Sequence, residues 1–142
     1  MDFGASMFFT DYSMTPAELG QALEARGFES VWAPEHSHIP SSRLSQPASG
    51  GELGKQYYDV MDPFVTLTSA AAATKTLKVA TGVCLVIQRD TIQTAKLVAT
   101  IDQVRAGDFC SASVAAGTRR RWPITAPSSK PVSSGCANRS RR

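Results

Sequence analysis

The segment Trp32-Ala33-Pro34-Glu35-His36-Ser37-His38-Ile39-Pro40 gathers the groups best suited to chemistry. His36 is able to give or take a proton near neutral pH, or to donate a hydrogen bond to an anionic ligand. Glu35 is suited to acid/base work or to orienting His36, and both are equally suited to a polar loop at the rim of a sheet. The pair His36 and His38 would place two imidazoles on one side of an extended chain. No spacing in the chain supplies a third ligand, so no metal site is expected. The second feature is Gly82 inside an apolar run, which marks a bulge, a close approach of backbone to a ligand, or tight packing. Cys84 beside it reads as a small buried hydrophobe. Tyr57 and Tyr58 are suited to a pocket mouth or to covering core edges. Arg89-Asp90 reads as a loop charge followed by a helix cap. No GxGxxG and no phosphate-binding P-loop pattern is present.

The elements around these residues alternate two periods. Phe3 to Phe9 reads as a buried strand. Thr15-Pro16-Ala17-Glu18 is a helix start with a capping box and a proline at the first helical position, followed by Leu19, Ala22 and Leu23, and by Gly27 as a stop. Ser30 to Ala33 is a second short strand. Residues 34–61 form a long polar connection rich in Pro, Ser and Gly, a length that suits a functional or disordered loop. Asp62-Pro63 opens a second helix through Leu67 and Ala70 to Ala73. Leu77 to Ile87 reads as a third strand, and Asp90 caps a third helix whose apolar face is Leu97, Ile101 and Val104, with Val98 beside it. Three βα units in a row predict an α/β fold with parallel strands, and ligands at their C-terminal ends.

The chain has 142 residues and a formal net charge of +3. That length allows one domain with an ordinary core. The charge is split: residues 1–108 carry eight Lys/Arg against twelve Asp/Glu, and residues 109–142 carry seven Lys/Arg and no acid. No nucleic-acid-binding signature accompanies the basic tail, so no nucleic-acid partner is expected. No run of about 18 apolar residues is present, so no membrane span is expected. The N-terminus lacks a basic n-region, and three unevenly spaced cysteines form no disulfide framework. The expected setting is a reducing cytoplasm. Residues 109–142 show no sustained period, are punctuated by Pro123, Pro127 and Pro131, and are expected to be unstructured.

Residues 1–104 resemble the luciferase-like monooxygenase superfamily, most closely its coenzyme F420-dependent oxidoreductases. The segments that carry the resemblance are GFESVWAPEHSHIPSSR, DPFVTLTSAAAAT and LKVATGVCLVIQRDTIQTAKLVATIDQV, after an opening strand. The resemblance implies the N-terminal portion, about three βα units, of a (β/α)8 TIM-type barrel, which when complete takes about 250 residues. It implies hydride transfer between reduced coenzyme F420, a deazaflavin, and a small organic substrate. The alternative is an FMN-dependent monooxygenase of the same fold. It places His36 at the reacting end as a catalytic residue, with Glu35 supporting it and His38 on the substrate side. Thr81, Gly82 and Val83 would present backbone to the cofactor ring, at a bulge that in deazaflavin members often holds a non-proline cis peptide. Family members are often homo-oligomers. A reading of another class is a truncated fragment without catalysis, whose open parallel edges are prone to aggregation.

The family pattern continues after IDQV with SGGRF, a Gly-rich strand and GWN, whereas this chain reads RAGDFCSASVAAGTRRRWPITAP. Shifting the frame by one nucleotide after Val104 lets Arg105 to Asp108 encode SGGR, and Phe109 to Thr118 encode FLFGVGGGWN. Residues 105–142 are therefore expected to be a frameshifted basic tail. Sequencing the coding DNA across Val104 checks this, with an SGGRF-like segment expected in the shifted frame. A shifted frame without that segment overturns the reading.

Overall fold

A computed structural model describes residues 1–41, 50–104 and 109–113. Strand β1 (Gly4–Ser6) leads to helix α1 (Pro16–Glu24), strand β2 (Ser30–Ala33), the short helix α2 (Gln56–Asp59) and helix α3 (Pro63–Ala73). Strand β3 (Lys78–Cys84), a 3-10 turn at Val86–Gln88, helix α4 (Thr91–Val104) and strand β4 (Phe109–Ser113) follow. The four strands form one sheet in the order β1-β2-β3-β4, and every neighbouring pair is parallel.

The helix starts follow from local chemistry. At α1 the Thr15 hydroxyl accepts from the Glu18 amide at 3.3 Å, and Glu18 Oε2 accepts from the Thr15 amide at 3.2 Å. Two of the unpaired amides at the helix start are thus satisfied reciprocally, with Pro16 at the first helical position. At α3, Asp62 Oδ1 accepts from the amides of Phe64 and Val65 at 2.9 and 3.2 Å. At α4, Asp90 Oδ1 accepts from the Gln93 amide at 2.8 Å. After α1, Gly27 takes φ +74°, a left-handed conformation that side chains resist, and the chain turns into β2.

The core lies between the sheet and its helices. Val31 and Ala33 of β2 and Val79 of β3 meet Phe64, Leu67, Ala70 and Ala71 of α3, Leu23 of α1 and Ile101 of α4. A Cβ on Gly20 of α1 would stand 3.1 Å from Thr74 Cγ2 and 3.4 Å from Ala70 Cβ, so a small residue there lets α1 and α3 pack closely. Strand alternation directs Trp32 to the sheet's other face. There a Cβ on Gly4 of β1 would come within 2.8 Å of the indole Nε1, and one on Gly82 of β3 within 3.2 Å of Cε3. The indole therefore lies across three strands, anchored by donation from Nε1 to Ser30 Oγ at 2.9 Å.

Several expectations are corrected. The first strand is shorter than Phe3 to Phe9, and Phe3 is 61% exposed. The third strand stops at Cys84 and not at Ile87, because the next amide leaves the ladder for a side-chain acceptor described below. The long connection contains α2. On α4 the buried stripe is Ile101 with Val98 at its edge, while Leu97 and Val104 are 39% and 51% exposed. The apolar arc of α4 is wider than its described neighbours cover. Finally, Phe109–Ser113, expected to be unstructured, is a strand paired with β3 from Val79↔Phe109 onward. The open edge of β3 offers backbone donors and acceptors that an extended segment satisfies whatever its side-chain period. Residues 114–142, the rest of the expected unstructured basic tail, lie outside the described residues, as do residues 42–49 and 105–108.

At the end of the sheet where β3 begins, Glu24 Oε1 accepts from the amides of Lys75, Thr76 and Leu77 at 2.8, 2.5 and 3.0 Å, and from Thr76 Oγ1 at 2.9 Å. The Thr76 amide above all holds the carboxyl down, to about 2 from an ordinary 4.5, against a smaller opposing effect of burial. A depressed carboxyl stabilises fully above its unfolded value, and that contribution is lost as pH falls through about 2. Glu24→Gln should therefore lower hydrogen-exchange protection of the 75–77 amides at neutral pH, with the gap from the unsubstituted chain closing towards pH 2.

Candidate functional site

The C-terminal ends of β1, β2 and β3 lie side by side because the strands are parallel and neighbouring. Glu35 and His36 follow β2 directly, and Glu35 is turned inward, 4% exposed. Its Oε2 accepts from the Leu85 amide and its Oε1 from Arg89 Nε, each at 2.6 Å. The same guanidinium donates through Nη2 to Asp62 Oδ2 at 2.5 Å, and its Cζ stands 4.6 Å from the centre of the Phe64 ring. Burial pulls the Arg89 guanidinium down, but the carboxylates of Asp62 and Glu35 outweigh it, and the net shift is upward. Arg89 therefore stays charged and joins the end of β2, the turn after β3 and the start of α3.

Cys84 is packed against this cluster, 1% exposed. Burial first, then the Glu35 carboxylate, pushes its thiol up to about 12. At neutral pH the sulfur is a protonated, unreactive packing group.

His36 is half-buried, with its ring 5.0 Å from the Tyr57 ring and nearly perpendicular to it. Two residues on, His38 Nδ1 is 2.9 Å from Ser37 Oγ, and Ser37 Oγ donates to Gln88 Oε1 at 2.7 Å. With its one hydrogen given to Gln88, the Ser37 hydroxyl accepts from His38 Nδ1 in the tautomer that carries a proton there. Among the described residues, the other side-chain nitrogens of this hydrogen-bond chain, His38 Nε2 and Gln88 Nε2, are buried without a hydrogen-bond partner, as is Thr10 Oγ1 beyond the end of β1.

Gly82 and Val83 occupy the far end of β3. The peptide bond between them is cis, and the β3–β4 register slips between Gly82 and Cys84. Gly82 faces Trp32. Thr81 is fully buried and is paired with Ala33, so its side chain belongs to the helix-facing side of the sheet while its backbone runs into the bulge. The structure thus brings His36, Ser37, His38, Gln88 and the Gly82–Val83 bulge to one end of the sheet. It places Glu35 behind them, bound to Arg89. Among the described residues, no group of three His, Cys, Asp or Glu stands close enough to hold a metal ion.

Sequence reasoning did not find Arg89, Gln88 or Thr10 as parts of this end of the sheet. In the sequence Arg89 looks like a loop charge because its partners Glu35 and Asp62 are 54 and 27 residues away. The one available signal was a lone arginine at the junction of a strand and a capped helix.

The family profile described as luciferase-like monooxygenase matches residues 15–109. The chain belongs to the luciferase-like monooxygenase family. The protein Rv0953c of Mycobacterium tuberculosis is 34% identical over 110 residues, covering 75% of this chain and 39% of that one. Two solved structures share the fold. Monooxygenase RslO1 from Streptomyces bottropensis has a TM-score of 0.66 at 21% identity, covering 88% of this chain and 36% of its own. The coenzyme F420-dependent tetrahydromethanopterin reductase from Methanopyrus kandleri has a TM-score of 0.59 at 19% identity, covering 89% and 30%. A third, the oxygenating constituent of 3,6-diketocamphane monooxygenase from Pseudomonas putida, was solved with FMN and gives a TM-score of 0.64 at 14% identity, covering 88% of this chain and 32% of its own. The chain therefore spans well under half the length of the relatives it matches.

Replacing Arg89 leaves the buried Glu35 carboxylate without its cation. Arg89→Met should cost about 3–5 kcal/mol, and Glu35→Leu combined with Arg89→Met less than the single change, both measured by urea unfolding.

Proposed function

We propose that this chain supplies the cofactor-facing end of a flavin or deazaflavin oxidoreductase, acting on a small organic substrate. The observation that carries this reading is the meeting of His36, the Ser37–His38–Gln88 chain and the Gly82–Val83 bulge at one end of a parallel sheet. The residues present suit a flat heteroaromatic ring. Gly82 and Val83 bring main chain to this end, with the Trp32 ring packed on Gly82, and Thr10 Oγ1, His38 Nε2 and Gln88 Nε2 are polar atoms with no hydrogen-bond partner among the described residues. Thr81, Gly82 and Val83 would back the ring with main chain, and His38 would face the substrate. When bound, a reduced deazaflavin supplies a hydride. His36 holds or donates a proton on the imidazole at the reacting end. Glu35 acts through position: with both oxygens engaged, it holds the loop on which His36 stands.

Coenzyme F420 is the first reading, as in the reductase neighbour, and FMN with monooxygenation is the second, favoured by the FMN-bound neighbour. Among the described residues no helix is long and apolar enough to cross a membrane. Titrating the full chain with F420 and with FMN, followed by fluorescence anisotropy, tests the proposal. Saturable binding of one cofactor is expected, with His36→Asn weakening it. No saturable binding of either overturns the proposal.

A further inference from the structure

Three aromatic rings form a group apart from the helix-side core. Tyr57 of α2 stands 4.8 Å from Phe8, beyond the end of β1, at an interplanar angle of 67°. It stands 5.0 Å from His36, beyond the end of β2, at 89°. Neither Phe8 nor Tyr57 belongs to the residues that pack on the core cluster. From this geometry we infer that Tyr57 is a positioning residue for His36, fixing the plane of its imidazole through an edge-to-face contact. The inference rests on the reading of His36 given above.

The helix that carries Tyr57 is too short to hold itself in place, with four residues from Gln56 to Asp59. It is held from outside. The Met61 amide donates to Phe9 O at 2.8 Å, which ties the chain after α2 to the extension of β1. Lys55 Nζ lies 4.2 Å from the centre of the Tyr12 ring and 2.6 Å from Asp59 Oδ2. These contacts bring α2 against the ends of β1 and β2, where Tyr57 touches Phe8 and His36. His36 follows β2 beyond its last paired residue, Ala33. A perpendicular ring at 5.0 Å is within the range in which aromatic pairs prefer a T-shaped arrangement. Phe8 braces Tyr57 from the other side, so the orientation passes from β1 through Tyr57 to His36. The contact is ring to ring, which sets the test.

The chain contains two histidines, so its imidazole resonances can be assigned with a His38→Gln variant. In the ligand-free chain, Tyr57→Leu should lower the order parameter of the His36 ring C–H bonds, read from carbon-13 relaxation, and Tyr57→Phe should leave it in place. Affinity for F420, or for FMN if that is the ligand bound, should fall about two- to tenfold in Tyr57→Leu and be restored in Tyr57→Phe. If Tyr57→Leu does not fold, Phe8→Leu, which loosens Tyr57 without removing it, should lower the same order parameter part-way. An unchanged His36 order parameter in the folded variant overturns the inference, whichever cofactor binds. A lowered order parameter with unchanged affinity overturns it as a device of the site. A lowered order parameter in a chain that binds neither F420 nor FMN supports the positioning of the ring and overturns the functional reading.

Discussion

Glu35 carries a charge into a place where only 4% of the residue meets solvent, and the fold around it answers that charge. A buried carboxylate is costly unless it is paired and its lone pairs are engaged. One oxygen takes the Leu85 amide, which ends β3 and starts the 3-10 turn that carries Gln88 to Ser37. The other takes Arg89, whose second arm reaches Asp62. Asp62 in turn caps α3 with its other oxygen. One guanidinium therefore fixes the relative placement of β2, the turn after β3 and α3, and the candidate site is built on the loops it holds.

What could be read from the sequence divides by the range of the interaction. The caps at Thr15, Asp62 and Asp90 act over two or three residues, so their spacing was visible, and each was found where expected. The strand Ser30–Ala33 agreed because its apolar run is bounded on both sides. The ion-pair cluster was not legible, because no local pattern joins residues 54 apart. The exposed sides of Leu97 and Val104 were missed because periodicity gives the width of an apolar face but not how much of it a neighbour covers. Strand β4 was missed because five residues are too few for a period, and its pairing comes from the backbone edge of β3. At the candidate site, His36 and Gly82 stood out by residue type. Tyr57 left two roles open, and its contact with His36 exists only once α2 folds back over β1.

The two faces of the sheet are filled by different means. The helix side is closed by aliphatic packing around Val31, Val79 and Leu67. On the other side one large indole spans three strands, and the glycines at positions 4 and 82 leave the room it needs. Larger residues at either glycine would meet the Trp32 ring directly, so the strand composition and the tryptophan have to be understood together.

The Glu24 clamp lies at the opposite end of the sheet from these groups, and it grips mainly main-chain amides. An attachment made to backbone is nearly blind to side-chain identity. The turn at residues 75–77 can therefore drift in sequence while its path stays fixed, with only the Thr76 hydroxyl adding a side-chain contact. Variation gathers in such connections. Here it is decoupled from the register of β3, and so from the placement of Gly82 at the strand's far end.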